Sequence, residues 1–287
     1  MKKTFIFYLS ALIAVFLSSS IFAEVNNGGL GINVHLGLGG GNSVYAIGGD
    51  NASNSQIGVG QGGGYDLGAA ISVGPASFYS FAAELNVSGA SLGDLEWTDT
   101  EDGNDLTYKQ YGEGAMAFVD LRLGLRLFLE PGDMGYTYFY GGLKSFSADY
   151  KMTKVRIKDN DTGLTSEGVA LQDTGAAGAG WVVGFKDFST LNFGLGSIVT
   201  TLSFWYFECN MDEKTEMGNT IKIENSTTKG FGGEFGVGYA IEPMGLAITL
   251  SWRGEVVYNE HNEVGSTVDE GFGAGYGMFL LGATFEL

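Results

Sequence analysis

A single segment, residues 115–129, constrains the fold of this chain more than any other stretch. Every odd position in it is apolar, whereas Asp120, Arg122 and Arg126 lie at even positions between them. Successive side chains of a β-strand point to opposite faces, so this period of two predicts one wholly apolar face and one face that carries charge. Strands of soluble sheets are usually about 5 to 6 residues long. A longer strand with lipid on one side and a polar interior on the other is typical of a barrel that crosses a membrane.

The same alternation recurs along the chain and predicts ten strands in all. Seven further segments show it clearly: 30–39, 57–73, 81–88, 179–186, 231–241, 246–258 and 279–287. Two aromatic-rich segments, 136–151 and 198–208, could face either way. Short alternating stretches at 154–158 and 220–224 carry too many charges to meet lipid, so we interpret them as hairpins above the membrane. Ten strands are favoured, and counts of eight or twelve remain open.

The connections between these segments alternate strictly between short and long. Three short links contain the three prolines, Pro75, Pro131 and Pro243, and a fourth lies near residues 186–191. Proline and glycine at such positions are typical of tight turns. The five longer polar links lie near 40–56, 89–112, 150–175, 209–229 and 259–270. This pattern predicts an all-β, up-and-down antiparallel transmembrane barrel with tight turns at one rim and long loops at the other.

The chain divides into an export signal and one domain. Lys2 and Lys3 precede an apolar run from residue 5 to residue 17, and the small Ala23 suits a cleavage site. This arrangement predicts a signal peptide at 1–23 and a barrel domain at 24–287. After residue 24 the sequence has no run of about 18 apolar residues, so no membrane-spanning helix is expected.

Composition narrows the classes of function. The chain has 33 acidic and 15 basic residues, a net charge of -18, which argues against nucleic acid as a partner. Glycine occupies 48 of 287 positions, more than twice the usual share of about 7%. Aromatic residues make up 13% of the chain, which argues against disorder. Cys209 is the sole cysteine, so no intramolecular disulfide can form.

The end of the chain resembles a known signal. In residues 282–287, Gly282 is followed by hydrophobic residues at the third-last and last positions, Phe285 and Leu287. This ending is similar to the C-terminal assembly signal of bacterial outer-membrane β-barrel proteins, and the resemblance covers essentially the whole length after residue 23. It implies a bacterial outer-membrane location, contact with outer-membrane lipid and insertion by the barrel-assembly machinery. The resemblance identifies a class of protein and no particular subfamily.

The alternation also predicts which side chains point into the barrel. The inward polar set is His35, Asp66, Glu84, Asn86, Asp120, Arg122, Arg126, Lys186, Glu234, Arg253 and Glu255. A candidate lumen charge network within it comprises Glu84, Asp120, Arg122, Arg126, Glu234, Arg253 and Glu255. These charges could pair as a structural network that fills the lumen, or they could line a narrow selective path. Many inward positions are glycine, which fits either a crowded interior or room for a solute.

Other motifs point away from cofactors and metals. Gly58, Gly60 and Gly63 match a nucleotide-binding spacing, but no strand-to-helix context surrounds them, so no cofactor is expected. Asp159, Asp161 and Glu167 form a weak candidate for a cation-binding loop. The calcium-loop pattern requires a glutamate at its twelfth position, which this segment lacks. An acidic solvated loop is therefore the favoured interpretation, and no metal site is expected.

Catalytic chemistry is not expected either. His35 and His261 are each preceded, two residues earlier, by an asparagine rather than an aspartate. Neither histidine is therefore expected to have the carboxylate that would orient it as a base. The sequence favours a non-enzymatic surface or interaction protein with long acidic loops. A narrow porin-like channel for small solutes or ions is the alternative, and a barrel enzyme is a third hypothesis.

Overall fold

The computed structural model describes residues 30–48, 56–74, 78–101, 104–128, 135–192, 196–216, 218–241, 244–263 and 269–286. Nearly all of these residues lie in strands: β1 (Leu30–Gly48), β2 (Gln56–Val73), β3 (Tyr79–Leu92), β4 (Leu95–Glu101), β5 (Asn104–Leu127), β6 (Tyr136–Asp159), β7 (Thr165–Asn192), β8 (Ser197–Asn210), β9 (Glu213–Glu216), β10 (Asn219–Ile241), β11 (Leu246–Glu263) and β12 (Asp269–Glu286). No helix in these ranges is long and apolar enough to cross a membrane. The predicted signal peptide, 1–23, lies outside the described residues.

Ten of the strands close into one antiparallel ring. Each ring strand pairs with the next one along the chain, and β1 pairs with β12 to complete the circle. The two short strands lie outside the ring: β4 pairs mainly with β5, and β9 pairs with β10 and β7. The predicted ten-stranded, up-and-down antiparallel barrel is therefore confirmed.

The register of the ring gives the stagger of its strands. One circuit of paired residues runs through His35, Gly68, Asn86, Asp120, Lys144, Gly180, Cys209, Thr228, Asn259, Phe272 and Ile47. The circuit returns to β1 at position 47 rather than 35, a displacement of 12 residues. Strand number and stagger together set the width of a barrel, and barrels near eight strands are just wide enough to be filled by side chains. Ten strands give a barrel only slightly wider than that.

The two faces of the wall carry the residues that the alternation predicts. On the outer face of β5, Leu121 and Leu123 are exposed, while Asp120, Arg122 and Arg126 are buried inside. The two segments of undecided orientation follow the same rule. In β6 and β8, the inward set includes Tyr138, Tyr140 and Trp205, whereas the outward set includes Phe139, Leu143 and Phe204. The outer surface is therefore an apolar belt suited to lipid.

Several strands are much longer than the sequence predicts. β5 and β6 each have 24 residues and β7 has 28, whereas about 9 to 11 residues suffice to cross a membrane. Large parts of the predicted links 89–112, 150–175 and 209–229 are strand, and the prediction of polar loops there is wrong. The sequence criterion required one apolar face. A strand that continues beyond the membrane can expose both of its faces to water, so it need not show that pattern.

Above the belt these long strands form a raised sheet, made of residues 95–101, 104–111, 154–159 and 165–169. The order of its strands is β4, β5, β6, β7. Irregularities between Tyr111 and Gly112 and between Met152 and Lys154 mark its base. Such bulges add a residue to one strand and change its direction. The stretch 154–158, predicted as part of a hairpin above the membrane, belongs to this sheet.

The lipid-facing orientation of Leu123 can be tested by placing a charge there. Leu123 is 59% exposed near the middle of the apolar run. We expect Leu123→Arg to lower the free energy of unfolding in lipid vesicles by about 2–4 kcal/mol, because a cation at the bilayer midplane costs that much in a barrel. Leu164→Arg, at a position that is 72% exposed in a turn outside the belt, is the matched control and should unfold like the parent in a urea titration. Equal unfolding midpoints for all three proteins would contradict the orientation of β5.

Candidate functional site

The candidate site is a network of buried charges in the barrel interior, and Asp120 on β5 lies near its centre. Asp120 Oδ2 is 2.5 Å from Arg122 Nη2, and its Oδ1 is 2.6 Å from Lys144 Nζ. Lys144, on β6, also lies 2.5 Å from Glu255 Oε1 on β11. All four side chains are almost fully buried. The Lys144 ammonium therefore joins carboxylates from two different parts of the wall.

Arg253 on β11 makes a second connection across the lumen. Its Nη1 lies 3.1 Å from Asp66 Oδ2 on β2. Its Nη2 donates to Asn86 Oδ1 and Ser88 Oγ on β3, each at 3.3 Å. Glu234 on the neighbouring strand β10 lies 3.4 Å away. One guanidinium group thus ties β10 and β11 to β2 and β3.

Further donors, two of them neutral, complete the coordination of the carboxylates. Trp205 Nε1 donates to Glu255 Oε1 at 2.8 Å, and the Tyr276 hydroxyl donates to Glu255 Oε2 at 3.2 Å. Arg122 Nη1 donates to Glu84 Oε1 at 3.1 Å. Buried carboxylates are stable only when such partners replace water. The network therefore provides partners for these buried carboxylates.

Acids and bases are equal in number around the network. The five carboxylates are Asp66, Glu84, Asp120, Glu234 and Glu255. The five bases are Arg122, Arg126, Lys144, Lys186 and Arg253. An uncompensated ion in a low-dielectric interior costs several kcal/mol, so balanced charge is a condition for closing the barrel around these groups.

Aromatic rings pack against the cations and fill the space around them. Arg253 lies 4.7 Å from the centre of the Trp205 ring, and Lys144 lies between Phe118 and Phe207 at 4.9 and 4.8 Å. Towards the raised sheet the lumen is filled by a buried apolar layer: Leu92, Leu95, Met116, Phe146, Met152, Met211 and Met278. The interior is therefore occupied by side chains above the network as well as within it.

The inward glycines make room for neighbouring side chains. A Cβ atom added at Gly68 would lie 1.9 Å from the His35 ring, and one added at Gly232 would lie 2.3 Å from the Trp205 indole. Both contacts are impossible without movement of the ring. At these positions glycine is required by a crowded interior, and the space it leaves is already taken by a large residue of the adjacent strand.

One small cavity lies on the other side of the network, towards the barrel end where β1 begins and β12 ends. Its volume is about 40 Å³, and its lining includes His35, Asp66, Lys186, Thr201 and Glu234. A cavity of this size and polarity suits a few water molecules. The Thr201 hydroxyl has no hydrogen-bond partner among the described residues, which is consistent with a hydrated cavity.

Six of the seven residues predicted as a lumen charge network lie in one connected cluster. The exception is Arg126, which is buried but forms no ion pair with any described residue. Its guanidinium lies 4.4 Å from the Tyr136 ring and 5.6 Å from the Tyr138 ring instead. Its position at the lower end of β5 explains the difference, because rings rather than carboxylates surround it there.

Sequence reasoning missed three members of the network. Lys144 and Trp205 lie in the two segments whose orientation was undecided, and Tyr276 precedes the last segment in which alternation was recognised. Phe139 and Leu143 are apolar residues at odd positions of this segment. If they are taken as lipid-facing, alternation places the even positions, Lys144 included, in the lumen. The pairing of Lys144 with Glu255, 111 positions later, has no local signal.

The expectation for the histidines is wrong for His35. Its Nε2 lies 3.2 Å from Asp66 Oδ2 and 3.1 Å from Asn86 Nδ2. The carboxylate comes from the adjacent strand β2, so a search for an aspartate two residues earlier in the sequence could not find it. The side chain of His261 lies outside the described ones.

The three residues of the predicted cation loop have other partners. Asp159 Oδ1 accepts the backbone N–H groups of Asp161 and Thr162 at 2.9 and 3.0 Å, and the bond from Thr162 lowers the pKa of Asp159. Glu167 is bonded to Lys154 and Arg156, which lower the pKa of its carboxyl. The structure thus uses Asp159 to cap the turn and Glu167 to join strands. No group of three metal-ligating side chains occurs in the described part of the chain.

Comparison with known proteins finds outer-membrane proteins of low sequence identity. The chain matches no protein-family model and no curated protein. The outer membrane protease OmpT from Escherichia coli is 10% identical, with a TM-score of 0.49, over 90% of this chain and 97% of that one. The NalP autotransporter translocator domain from Neisseria meningitidis is 11% identical, with a TM-score of 0.35, over 99% and 97%. Ail, the attachment invasion locus protein of Yersinia pestis, is 10% identical, with a TM-score of 0.26, over 91% and 99%.

The class of this protein follows from its own geometry. A closed ring of ten antiparallel strands with an apolar outer belt is the architecture of outer-membrane β-barrels, and the resemblance noted in the sequence is confirmed at that level. Within that class, this barrel has an interior filled by an ion network and aromatic side chains.

The network can be tested by removing its central cation. Lys144→Met leaves Asp120 and Glu255 buried without their shared partner, and we expect a loss of about 3–5 kcal/mol in unfolding free energy. Lys222→Met removes an ammonium from an exposed pair with Glu213 and should leave the urea midpoint nearly unchanged. Adding Asp120→Asn to Lys144→Met should restore part of the loss, since one uncompensated charge disappears. A loss that the second substitution deepens would argue that packing, rather than charge, stabilises this region.

Proposed function

We propose that this protein is a non-enzymatic surface protein of a bacterial outer membrane, whose closed barrel anchors an acidic extracellular extension that binds a cationic partner. The observation that carries the proposal is the filled lumen. A barrel that conducts solute needs a continuous polar path, whereas here Arg253, Lys144 and Trp205 cross or occupy the interior. The function is therefore assigned to the surface that the barrel presents.

The extension is the part of the barrel that continues beyond the apolar belt, and it carries most of the negative charge of the chain. The described residues within 93–113, 149–176, 210–224 and 259–271 include 19 acidic and 7 basic residues, a local net charge of -12 (7 minus 19). The whole chain has a net charge of -18. A surface with this excess attracts cations and speeds the encounter with a positively charged partner.

The location and the route to it are part of the proposal. The apolar belt supports contact with outer-membrane lipid, and segment 1–23 supports export. Phe285 lies on the outer face and is 44% exposed, and Gly282 lines the small cavity; Leu287 lies outside the described residues. We infer that the barrel-assembly machinery reads this C-terminal segment.

A narrow porin-like channel is the alternative function, and the polar cavity of about 40 Å³ favours it. The network separates that cavity from the raised sheet, which is why we prefer the closed barrel. A barrel enzyme would need His35 and Asp66 as its base and orienting group. Both are tied to the network through Asn86 and Arg253, at the barrel end away from the raised sheet. Unchanged peptide substrates after prolonged incubation with the pure protein would agree with a non-enzymatic role.

Conductance measurements distinguish the closed barrel from the channel. We expect the pure protein to produce no stepwise current in planar bilayers and no faster swelling of liposomes than lipid alone, because side chains occupy the lumen. A general porin inserted by the same procedure is the positive control. Reproducible current steps from the unmodified protein would refute the closed barrel and favour the channel.

Binding of a cationic polymer tests the role of the extension. We expect the protein in lipid nanodiscs to bind a 20-residue poly-lysine and not poly-glutamate, with at least tenfold weaker binding when salt rises from about 0.05 M to 0.5 M. Neutralising the exposed Asp94, Glu96 and Asp105 together should weaken binding further. Equal affinity for the two polymers, or affinity independent of salt, would contradict an electrostatic surface.

A further inference from the structure

The raised sheet has an open edge on β7. Residues Thr165–Val169 pair with Lys158–Lys154 of β6 on one side. On the opposite side of β7, pairing begins only at Asp173, nearer the membrane. There the Gly218 N–H donates to the Asp173 carbonyl, and Thr174 pairs with β9. No described residue pairs with Thr165–Val169 on that side. About 17 Å of strand edge therefore has no partner among the described residues, at roughly 3.3 Å per residue.

The hydrogen-bond pattern shows which backbone groups face this edge. The Asp159 N–H donates to the Leu164 carbonyl at 2.9 Å, so these two residues form a hydrogen-bonded pair. Bonded and non-bonded pairs alternate along an antiparallel ladder, so Ser166 and Gly168 are the next residues of β7 bonded to β6. The N–H and C=O groups of Thr165, Glu167 and Val169 consequently point away from β6, towards the open edge.

This edge lacks the features that normally prevent strand addition. Natural proteins protect exposed edges with lysine, proline or charged side chains. Thr165–Val169 contains neither lysine nor proline, and its one charged residue, Glu167, is bonded to Lys154 and Arg156 of β6. Val169 is 84% exposed and Leu164 is 72% exposed at the two ends of the segment. The edge is accessible along its whole length.

The edge is also held in shape. The Asp159 carboxylate caps the turn, and Gly163 takes a left-handed backbone conformation, φ 70°, that closes the hairpin. At the base, Lys154 and Arg156 lie 5.4 and 5.6 Å from the Tyr111 ring. A preformed strand loses little conformational freedom when another strand pairs with it.

We propose that the open edge of β7, Thr165–Val169, docks an extended cationic segment of a partner polypeptide, which adds to the raised sheet as a further strand. The positive charge assigned to this partner rests on the proposed function. Exposed acids lie at both ends of the edge, Asp161 at the tip and Asp173 at the base, and the extension as a whole carries excess negative charge. Backbone bonds supply affinity in this mode of binding, and the alternating side chains supply selectivity. A second copy of this acidic chain would bring like charges together, so it is the disfavoured occupant.

A matched pair of variants tests the edge. The probe is a seven-residue peptide in which lysine alternates with valine or threonine. It is added to the protein in lipid nanodiscs. The double variant Thr165→Pro with Val169→Pro removes two N–H donors of the open edge. It leaves the N–H donors that bond to β6 in place, so we expect at least a tenfold loss of affinity for the peptide. Thr165→Ala with Val169→Ala removes the same side chains but keeps the donors, and should bind within threefold of the parent.

Amide hydrogen exchange gives an independent readout on the parent protein. Bound peptide should slow exchange at Thr165, Glu167 and Val169, and protection at other sites without protection there would overturn the proposal. In the proline variant, unchanged exchange at Ile157 and Val155 verifies that the β6–β7 ladder is intact.

The outcomes separate this inference from the proposed function. Salt-sensitive binding of equal strength in all three proteins would overturn the edge site and leave the acidic surface as the binding function. Failure of the parent to bind either this peptide or poly-lysine would remove both. A dimer that forms in the parent and disappears in the proline variant would make a second copy the occupant and would also overturn the proposal.

Discussion

Closure of the ring between β1 and β12 is the constraint on which the rest of the structure depends. In lipid every backbone N–H and C=O must find a partner, and a sheet satisfies this condition only when it has no edge. Ten strands with a stagger of 12 leave an interior so narrow that the two sides of the wall touch through their side chains. The glycines at 68 and 232 make room in this interior for the large His35 and Trp205 of the adjacent strands.

A narrow interior also determines how charge can be accommodated. Lys144 and Arg253 each bind carboxylates from other strands, so a one-residue shift of β2, β5, β6 or β11 would leave an ion unpaired. Buried ion pairs add little net stability compared with apolar packing, but breaking one is costly. In this barrel the network therefore acts mainly to specify register, and it occupies the space through which a solute would pass.

The same strands behave differently once they leave the membrane. β5, β6 and β7 continue upward into water, where both faces can be polar and an edge is no longer forbidden. In the closed ring each strand pairs on both sides, whereas the raised sheet has a row of backbone groups at Thr165–Val169 that no described residue pairs. The difference between lipid and water as solvents thus allows an open strand edge on the raised sheet and excludes one from the belt.

By itself the sequence determined the class of fold, the ten strands and the face on which most residues lie. These features depend on a period of two and on turn residues, both of which are local. It did not determine the partners of His35, Lys144 or Arg126, nor the strand beyond the belt at 150–175. Pairing between residues such as Lys144 and Glu255 depends on the stagger of the closed ring, and a strand in water need not show an apolar face. Only the tertiary structure decided that inward charges meet across the lumen, as Lys144 meets Glu255 and Arg253 meets Asp66, because ring closure brings together strands that are distant in sequence.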